Sequence, residues 1–215
     1  LDGDFPTDDL IARIDKSTAV VVLTTPNNPT GATISLDDIY KVNQAAKAQG
    51  AKLLVDHAYV EFADDAPTAK LTPDANIMIV RTFSKAWGLA GLRVGFLISP
   101  DAEFATAIRN ASGPYPVSAV SLETARTALA DFKPQMQQNV DRIKTIRQLM
   151  FDLLVDCGGK PIQSGGNYLL AQFENADAVW DGLAARGIGV RKFAGKPVLD
   201  NYLRVTCPAT EGDYL

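Results

Sequence analysis

The sequence predicts an α/β fold built on a mostly parallel sheet, followed by a smaller α/β unit. Three observations predict it. Short apolar runs at Ala19 to Leu23, Lys52 to Val55 and Ile77 to Val80 read as buried strands. Capped segments of helical period alternate with them, and strands alternating with helices of this length mean βαβ units. Of the 215 residues, 47% are hydrophobic and 21% charged, which is enough apolar side chain for a real core.

Asp8 to Ile14 is expected to form a short helix with Leu10, Ile11 and Ile14 on one face. The β-branched run Ala19 to Leu23 is expected to be a strand buried on both faces. Thr25-Pro26-Asn27-Asn28-Pro29-Thr30-Gly31 breaks it with two prolines and a glycine. Ser35 caps the next helix, with Asp37 and Asp38 in its first turn, Ile39, Val42 and Ala46 as its stripe and Gly50 at its end. Lys52 to Val55 follows as a strand with Asp56 at its carboxyl end. Ile77 to Val80 is a third strand, and Leu92 to Ile98 a fourth, closed by Ser99-Pro100.

Beyond Pro100 the pattern turns helical. Asp101 to Ala111 is one helix, Gly113-Pro114-Tyr115-Pro116 a rigid break, and Val117 to Ala130 a second helix with Leu122, Ala125 and Leu129 aligned. Pro134 sits in the first turn of a third helix running to about Val155, with Met136, Val140, Ile143, Ile146, Leu149 and Leu153 inward. Cys157-Gly158-Gly159-Lys160-Pro161 ends it and marks a boundary between a large unit, residues 1–155, and a small one, residues 156–215. In the small unit Asn167 to Phe173 reads as a strand and Ala176 to Arg186 as a helix stopped by Gly187. Ile188 to Val190 and Tyr202 to Thr206 are two further strands.

The net charge of −4 argues against a nucleic-acid surface, which needs a basic patch. No apolar run approaches the roughly 20 residues a membrane helix needs, and the acidic, polar opening Leu1 to Leu10 does not read as a signal peptide. Two cysteines, Cys157 and Cys207, and a single histidine argue against a zinc site and against a disulfide framework. Two ordinary thiols fit a reducing, cytoplasmic setting. The chain opens on Leu1 inside an amphipathic segment and stops just after Glu211-Gly212-Asp213, which reads as a helix start. It therefore reads as an internal piece of a longer protein.

In open α/β sheets ligands sit at the carboxyl ends of the strands, and Asn28, Asp56 and Lys85 all lie just past such ends. The densest chemistry is in Arg81-Thr82-Phe83-Ser84-Lys85-Ala86-Trp87-Gly88-Leu89-Ala90-Gly91-Leu92-Arg93-Val94-Gly95-Phe96. A lysine forms a Schiff base with an aldehyde only as the neutral amine. Thr82, Ser84 and Arg93 beside it offer two hydroxyls and a forked guanidinium, which suit a phosphate. An aldehyde at one end and a phosphate at the other describe pyridoxal 5'-phosphate. Asp56 closes an apolar strand, where a carboxylate is costly without a charged partner; a pyridinium nitrogen is one such partner, and the cap of a following helix is the plainer role. Arg204, within Tyr202-Leu203-Arg204-Val205-Thr206, is a charge in an apolar strand that calls for an anion. Arg191 lies on the neighbouring strand, where a solvated loop charge is the plainer reading.

The Lys85 stretch resembles the lysine motif of fold-type I aminotransferases, and among them the histidinol-phosphate aminotransferase group. Asn28-Pro29-Thr30-Gly31 resembles that family's N-P-T-G, and Asp56-His57-Ala58-Tyr59-Val60-Glu61-Phe62 resembles D-E-A-Y-x-E-F, with His57 in place of the usual glutamate. The position beside Asp56 should point away from the cofactor ring. The motifs come in the family's order across nearly the whole chain. The resemblance implies pyridoxal 5'-phosphate as cofactor, held covalently by Lys85, with Thr82, Ser84 and Arg93 on its phosphate. It implies Asp56 on its ring nitrogen and Asn28 and Tyr59 on its phenolic oxygen. It further implies that Arg204 binds the substrate's carboxylate, that Arg191 helps to hold a substrate phosphate, and that Asn167 is structural. The expected reaction is transamination between histidinol phosphate and 2-oxoglutarate in a homodimer, with small-molecule amino donor and 2-oxo acid as partners. An aromatic or broad-range aminotransferase and a decarboxylase of threonine phosphate share these motifs. So does the aminotransferase-like sensor domain of some transcription regulators. The family's N-terminal part, with its stacking aromatic ring and the residues that reach across the dimer, has no counterpart in this sequence.

Overall fold

The computed structural model describes residues 5–65 and 67–208, and the helix start expected at Glu211-Gly212-Asp213 lies outside them. The chain runs α1 (Thr7–Ile11), β1 (Val20–Thr24), α2 (Leu36–Ala48), β2 (Lys52–Asp56), α3 (Thr68–Leu71), β3 (Ile77–Thr82) and β4 (Gly95–Ile98). Helices α4 (Ala102–Ala111), α5 (Ala119–Asp131) and α6 (Lys133–Asp156) follow. The last part holds β5 (Lys160–Pro161), β6 (Tyr168–Gln172), α7 (Ala176–Ala184), β7 (Arg191–Lys192) and β8 (Tyr202–Thr206).

Two four-stranded sheets result. In the first, in the order β1-β2-β3-β4, the β1–β2 and β2–β3 pairs are parallel and β4 runs antiparallel to β3. The second, in the order β5-β6-β8-β7, is antiparallel throughout. Helix α2 forms where its caps place it. Ser35 Oγ accepts from the Asp38 amide at 3.1 Å, and Ile39, Val42 and Ala46 turn onto the first sheet. Helix α6 joins the two sheets. Its Met136 and Val140 pack with Tyr59, Phe62 and Ala86, and its Ile146 and Met150 pack with Leu169 and Cys207.

Several expectations change. Strand β1 is buried on one face only: Val21 and Leu23 point into the core, whereas Val20 is 47% and Val22 59% exposed. Among the described residues α1 and α2 cover one side of β1, and nothing covers the other. Helix α1 is shorter than expected, though Ile14 still packs on the core. Strand β4 starts at Gly95, because Ala90–Leu92 form a 3-10 turn and Arg93 takes a left-handed conformation with φ 57°. Only glycine fits at that start, since a Cβ on Gly95 would lie 2.9 Å from the Arg81 carbonyl. On α5 the buried stripe is Ser121, Ala125 and Ala128, and Leu122 and Leu129 face outward. Small side chains win there because they let the helix approach Phe83 and Val94 closely. On α6, Met150 takes the inward place given to Leu149 and Leu153, both of which are exposed. The strand expected at Ile188 to Val190 forms instead at Arg191–Lys192.

Candidate active site

Strands β1 and β2 end level, and β3 runs two residues farther, to Thr82. Thr24 pairs with Asp56, and Asp56 pairs with Val80. A register of this kind puts Asp56 in the middle of the rim rather than at an edge. Its Oδ1 accepts from the Ala58 amide at 2.9 Å and closes the turn after β2. The 3-10 turn Val60–Phe62 that follows starts at Tyr59 without a side-chain cap, so Asp56 does not take the plainer role of a helix cap. Among the described residues Oδ2 receives no hydrogen bond and remains available to an outside donor.

Lys85 is presented by the loop after β3. The Phe83 amide donates to the Val94 carbonyl at 3.0 Å, the Leu89 amide to the Phe83 carbonyl at 2.9 Å, and the Gly88 amide to the Lys85 carbonyl at 3.0 Å. The loop is thus closed by its own backbone. Thr82 helps to shape it, because Thr82 Oγ1 accepts from the Ser84 amide at 3.0 Å and donates to the Val94 carbonyl at 3.4 Å. That hydroxyl is engaged in the loop as well as facing the site. Arg93 holds a left-handed backbone that a non-glycine residue rarely adopts, and it sends Nη1 to the Ala90 carbonyl at 3.2 Å. Such a conformation recurs at ligand clamps.

Asp56, Thr82, Ser84, Lys85 and Arg93 line one cavity of about 340 Å³, with Ala58, Val80 and Arg81 completing its wall. Five of the nine sequence-predicted residues are therefore in one place. Three more connect to them through a chain of contacts. Lys85 Nζ lies 5.1 Å from the centre of the Tyr59 ring. Tyr59 meets Tyr168 edge to face, with centroids 5.2 Å apart. The Arg204 guanidinium lies 5.1 Å over the other ring, Tyr168, and its Nη1 donates to Asn28 Oδ1 at 2.6 Å. With its oxygen taken, the Asn28 amide has only its NH2 to offer a ligand. Arg204 Nε is buried without a partner among the described residues, which leaves a guanidinium edge unsatisfied. Arg191 stands directly opposite Arg204 on β7, exposed, one strand farther from the cavity.

His57 is absent from this cavity. Its ring is fully buried, with Nδ1 2.9 Å from Thr68 Oγ1. Burial, and secondarily the Arg81 guanidinium, pull its pKa down to about 4, so the ring is neutral near pH 7. Arg81 is held by Glu61 through a 2.7 Å ion pair in which both side chains are mostly covered. Sequence reasoning missed that pairing, and it missed Tyr168. The position after Asn167 carries no local signal of a site, because a buried aromatic on a strand is ordinary.

The donor set fits pyridoxal 5'-phosphate. One carboxylate oxygen is open toward a ring nitrogen, one amine can meet an aldehyde, and the Ser84 hydroxyl and Arg93 guanidinium can take a phosphate. No group of three or more metal-ligating side chains occurs among the described residues.

The profile of "Aminotransferase class I and II" matches residues 3–214. The histidinol-phosphate aminotransferase of Stenotrophomonas maltophilia is 36% identical over 213 residues, covering 94% of this chain and 57% of that protein. The one from Ruminiclostridium cellulolyticum is 33% identical over 193 residues, covering 89% and 53% respectively. The structure of histidinol-phosphate aminotransferase from Sinorhizobium meliloti in complex with pyridoxal-5'-phosphate superposes with a TM-score of 0.75 at 30% identity, over 89% of this chain and 53% of that one. The chain thus spans about half the length of the curated relatives it matches. Its fold, its strand-end lysine cavity and a match over nearly its whole length together place the chain in the class I and II aminotransferases, a family dependent on pyridoxal 5'-phosphate.

Proposed function

We propose that this chain belongs to an enzyme that transfers an amino group from histidinol phosphate to 2-oxoglutarate, giving imidazole acetol phosphate and glutamate. Residues 1–155 would bind the cofactor, and residues 156–215 would bring the substrate-binding arginines. One observation carries the substrate class: Arg191 and Arg204 pair across adjacent antiparallel strands, and Arg204 keeps an unsatisfied buried Nε. Like charges placed opposite one another repel unless an anion lies between them, and a phosphate or a carboxylate is such an anion. Relatives at 33–36% identity that are named for histidinol phosphate support the same reading.

Bound pyridoxal 5'-phosphate would supply an electron sink for the substrate carbon that bears the amine. Everything else falls to the chain. The Asp56 carboxylate would pair with the ring nitrogen and hold a proton there. The Lys85 amine takes the proton from the substrate Cα and returns it on the other side of the transfer. Ser84 and Arg93 would anchor the cofactor phosphate, and Thr82, whose hydroxyl is engaged in the loop, would hold Ser84 in place. The Asn28 NH2 and the Tyr59 hydroxyl donate to the phenolic oxygen. Arg204, joined by Arg191, takes the anionic end of the amino donor and then of the 2-oxo acid.

The test is the amino-donor preference of the protein with and without Arg191. Histidinol phosphate should be the best donor, and Arg191→Ala should raise its KM about tenfold while leaving an aromatic amino acid unaffected, as befits one charge-assisted contact. No loss with histidinol phosphate would assign Arg191 to the solvent, and an equal loss with both donors would deny it a phosphate-specific role; either result would move the reading to an aromatic or broad-range aminotransferase.

A further inference from the structure

We infer that Tyr168 is a positioning residue for the Asn28–Arg204 pair, acting through the Asn27 backbone and through its own ring. The inference rests on the cofactor reading above. Tyr168 opens β6 and so belongs to the second sheet, yet its side chain is only 2% exposed, enclosed by Tyr59, Phe62, Ala86, Met136 and Val140. Its hydroxyl donates to the Asn27 carbonyl at 2.6 Å. Asn27 immediately precedes Asn28, whose amide oxygen receives Arg204. One face of the Tyr168 ring carries the Arg204 guanidinium, and its edge contact is with Tyr59, the aromatic neighbour of Lys85. A single side chain therefore touches the backbone under Asn28, the cation that orients the Asn28 amide and the ring beside Lys85.

The segment that delivers Tyr168 is fixed at two points. The Gly165 amide donates to the Gly31 carbonyl at 2.7 Å. Arg147 Nη1 donates to the Gly166 carbonyl at 2.7 Å and to the Phe62 carbonyl at 3.0 Å. A Cβ on Gly166 would come within 2.8 Å of the Tyr168 ring, and one on Gly31 would overlap Ser164, so neither approach tolerates a side chain. Burial raises the pKa of the Tyr168 phenol, which keeps the hydroxyl a donor throughout the ordinary pH range. Its acceptor already receives the Gly31 amide at 2.7 Å. The hydroxyl thus adds a second hold on a carbonyl that the loop had already satisfied. Phenylalanine would fill the same space, so core packing alone does not explain the hydroxyl.

The test compares the unaltered chain with Tyr168→Phe and Tyr168→Leu by absorbance titration with pyridoxal 5'-phosphate and by amide hydrogen exchange. Tyr168→Phe keeps the ring and removes one hydrogen bond, so cofactor affinity should fall about fivefold to tenfold. The pH midpoint of the bound cofactor's visible band should rise, because a less firmly placed Asn28 amide stabilises the phenolate less. Exchange at Asn27 and Gly31 should quicken while exchange at Val55 and Ile79 stays unchanged. Tyr168→Leu, which also loses both ring contacts, should bind more weakly still; if it does not fold, Tyr168→Phe decides alone. Faster loop exchange with affinity and midpoint unmoved would make Tyr168 a packing residue and overturn the inference. An unaltered chain that gives no band at all would instead bring down the cofactor reading, and the inference with it.

Discussion

Lys85 and Arg204 come from different sheets and are linked through Tyr59 and Tyr168, and the two sheets place them by different means. Lys85 follows β3 directly, and its companions Asp56, Thr82, Ser84 and Arg93 come from the same sheet and line the same cavity. Their relative positions follow from strand register and a self-closed loop. Arg204 meets Asn28 across 176 positions of chain, and Tyr168 meets Asn27 across 141. Those contacts exist only once α6 has packed both sheets together. Local register thus builds the half of the site suited to a cofactor, and long-range packing builds the half suited to a substrate. Changes in the first half should strike the chemistry; in the second, loss of Arg204 or Arg191 should strike substrate binding first, whereas loss of the Tyr168 hydroxyl should reach the cofactor through Asn28.

The largest effect is expected at Asp56. Asp56→Asn keeps the size and the turn but removes the charge, and kcat should fall on the order of 10²- to 10³-fold with KM little changed, the scale of a lost preorganised charge. Steady-state kinetics with saturating cofactor would show it, and an equal rise in KM would move Asp56 to the substrate side of the comparison.

His57 sharpens the contrast from behind the rim, since it should matter for stability and not for chemistry. Its folded pKa of about 4 lies below the 6.5 of a free histidine, so between those values the unfolded chain binds a proton that the folded chain does not. Stability should therefore be complete above about pH 6.5, decline as pH falls, and level off below about pH 4, a loss of about 3 kcal/mol from this residue. Urea unfolding of His57→Gln should lack that component while cofactor binding at pH 7 is unchanged. An identical pH profile in the two chains would show that His57 is not the group that titrates.

Arg204→Ala should raise KM for an anionic amino donor about 30-fold, equivalent to about 2 kcal/mol for a lost charge-assisted pair, with kcat falling less. Because Arg204 also holds Asn28, cofactor affinity should weaken slightly, which Arg191→Ala should not cause. The smallest change belongs to Arg191, exposed at the outer strand: about tenfold in KM, the scale of one charge-assisted contact, confined to phosphate-bearing donors.

What the sequence made legible follows the same division. Ser35, Asp56, Lys85 and Gly50 could be placed because caps, strand ends and breakers are written in adjacent residues. The faces of α5 and β1 could not. Leu122, Ala125 and Leu129 are the most apolar stripe of α5, but the helix turns Ser121, Ala125 and Ala128 inward, because what it packs against demands small side chains. Val20 and Val22 look as buried as Val21 in sequence, and only the layout of layers around β1 separates them. Arg204 was noticed as a charge in an apolar strand, whereas its contacts with Asn28 and Tyr168 depend on two distant segments meeting. Tyr168 carried no signal, because nothing beside it in the chain distinguishes a tyrosine that supports a site from one that fills a core.

The most direct measurement is the visible absorption spectrum of this chain with pyridoxal 5'-phosphate, before and after histidinol phosphate, beside Lys85→Ala. The expected result is a band that requires Lys85 and bleaches when the donor is added, with the folded state of both chains checked by circular dichroism. A folded chain whose band is the same without Lys85, or that forms none, would contradict the assignment of Lys85 and its cavity as the cofactor site.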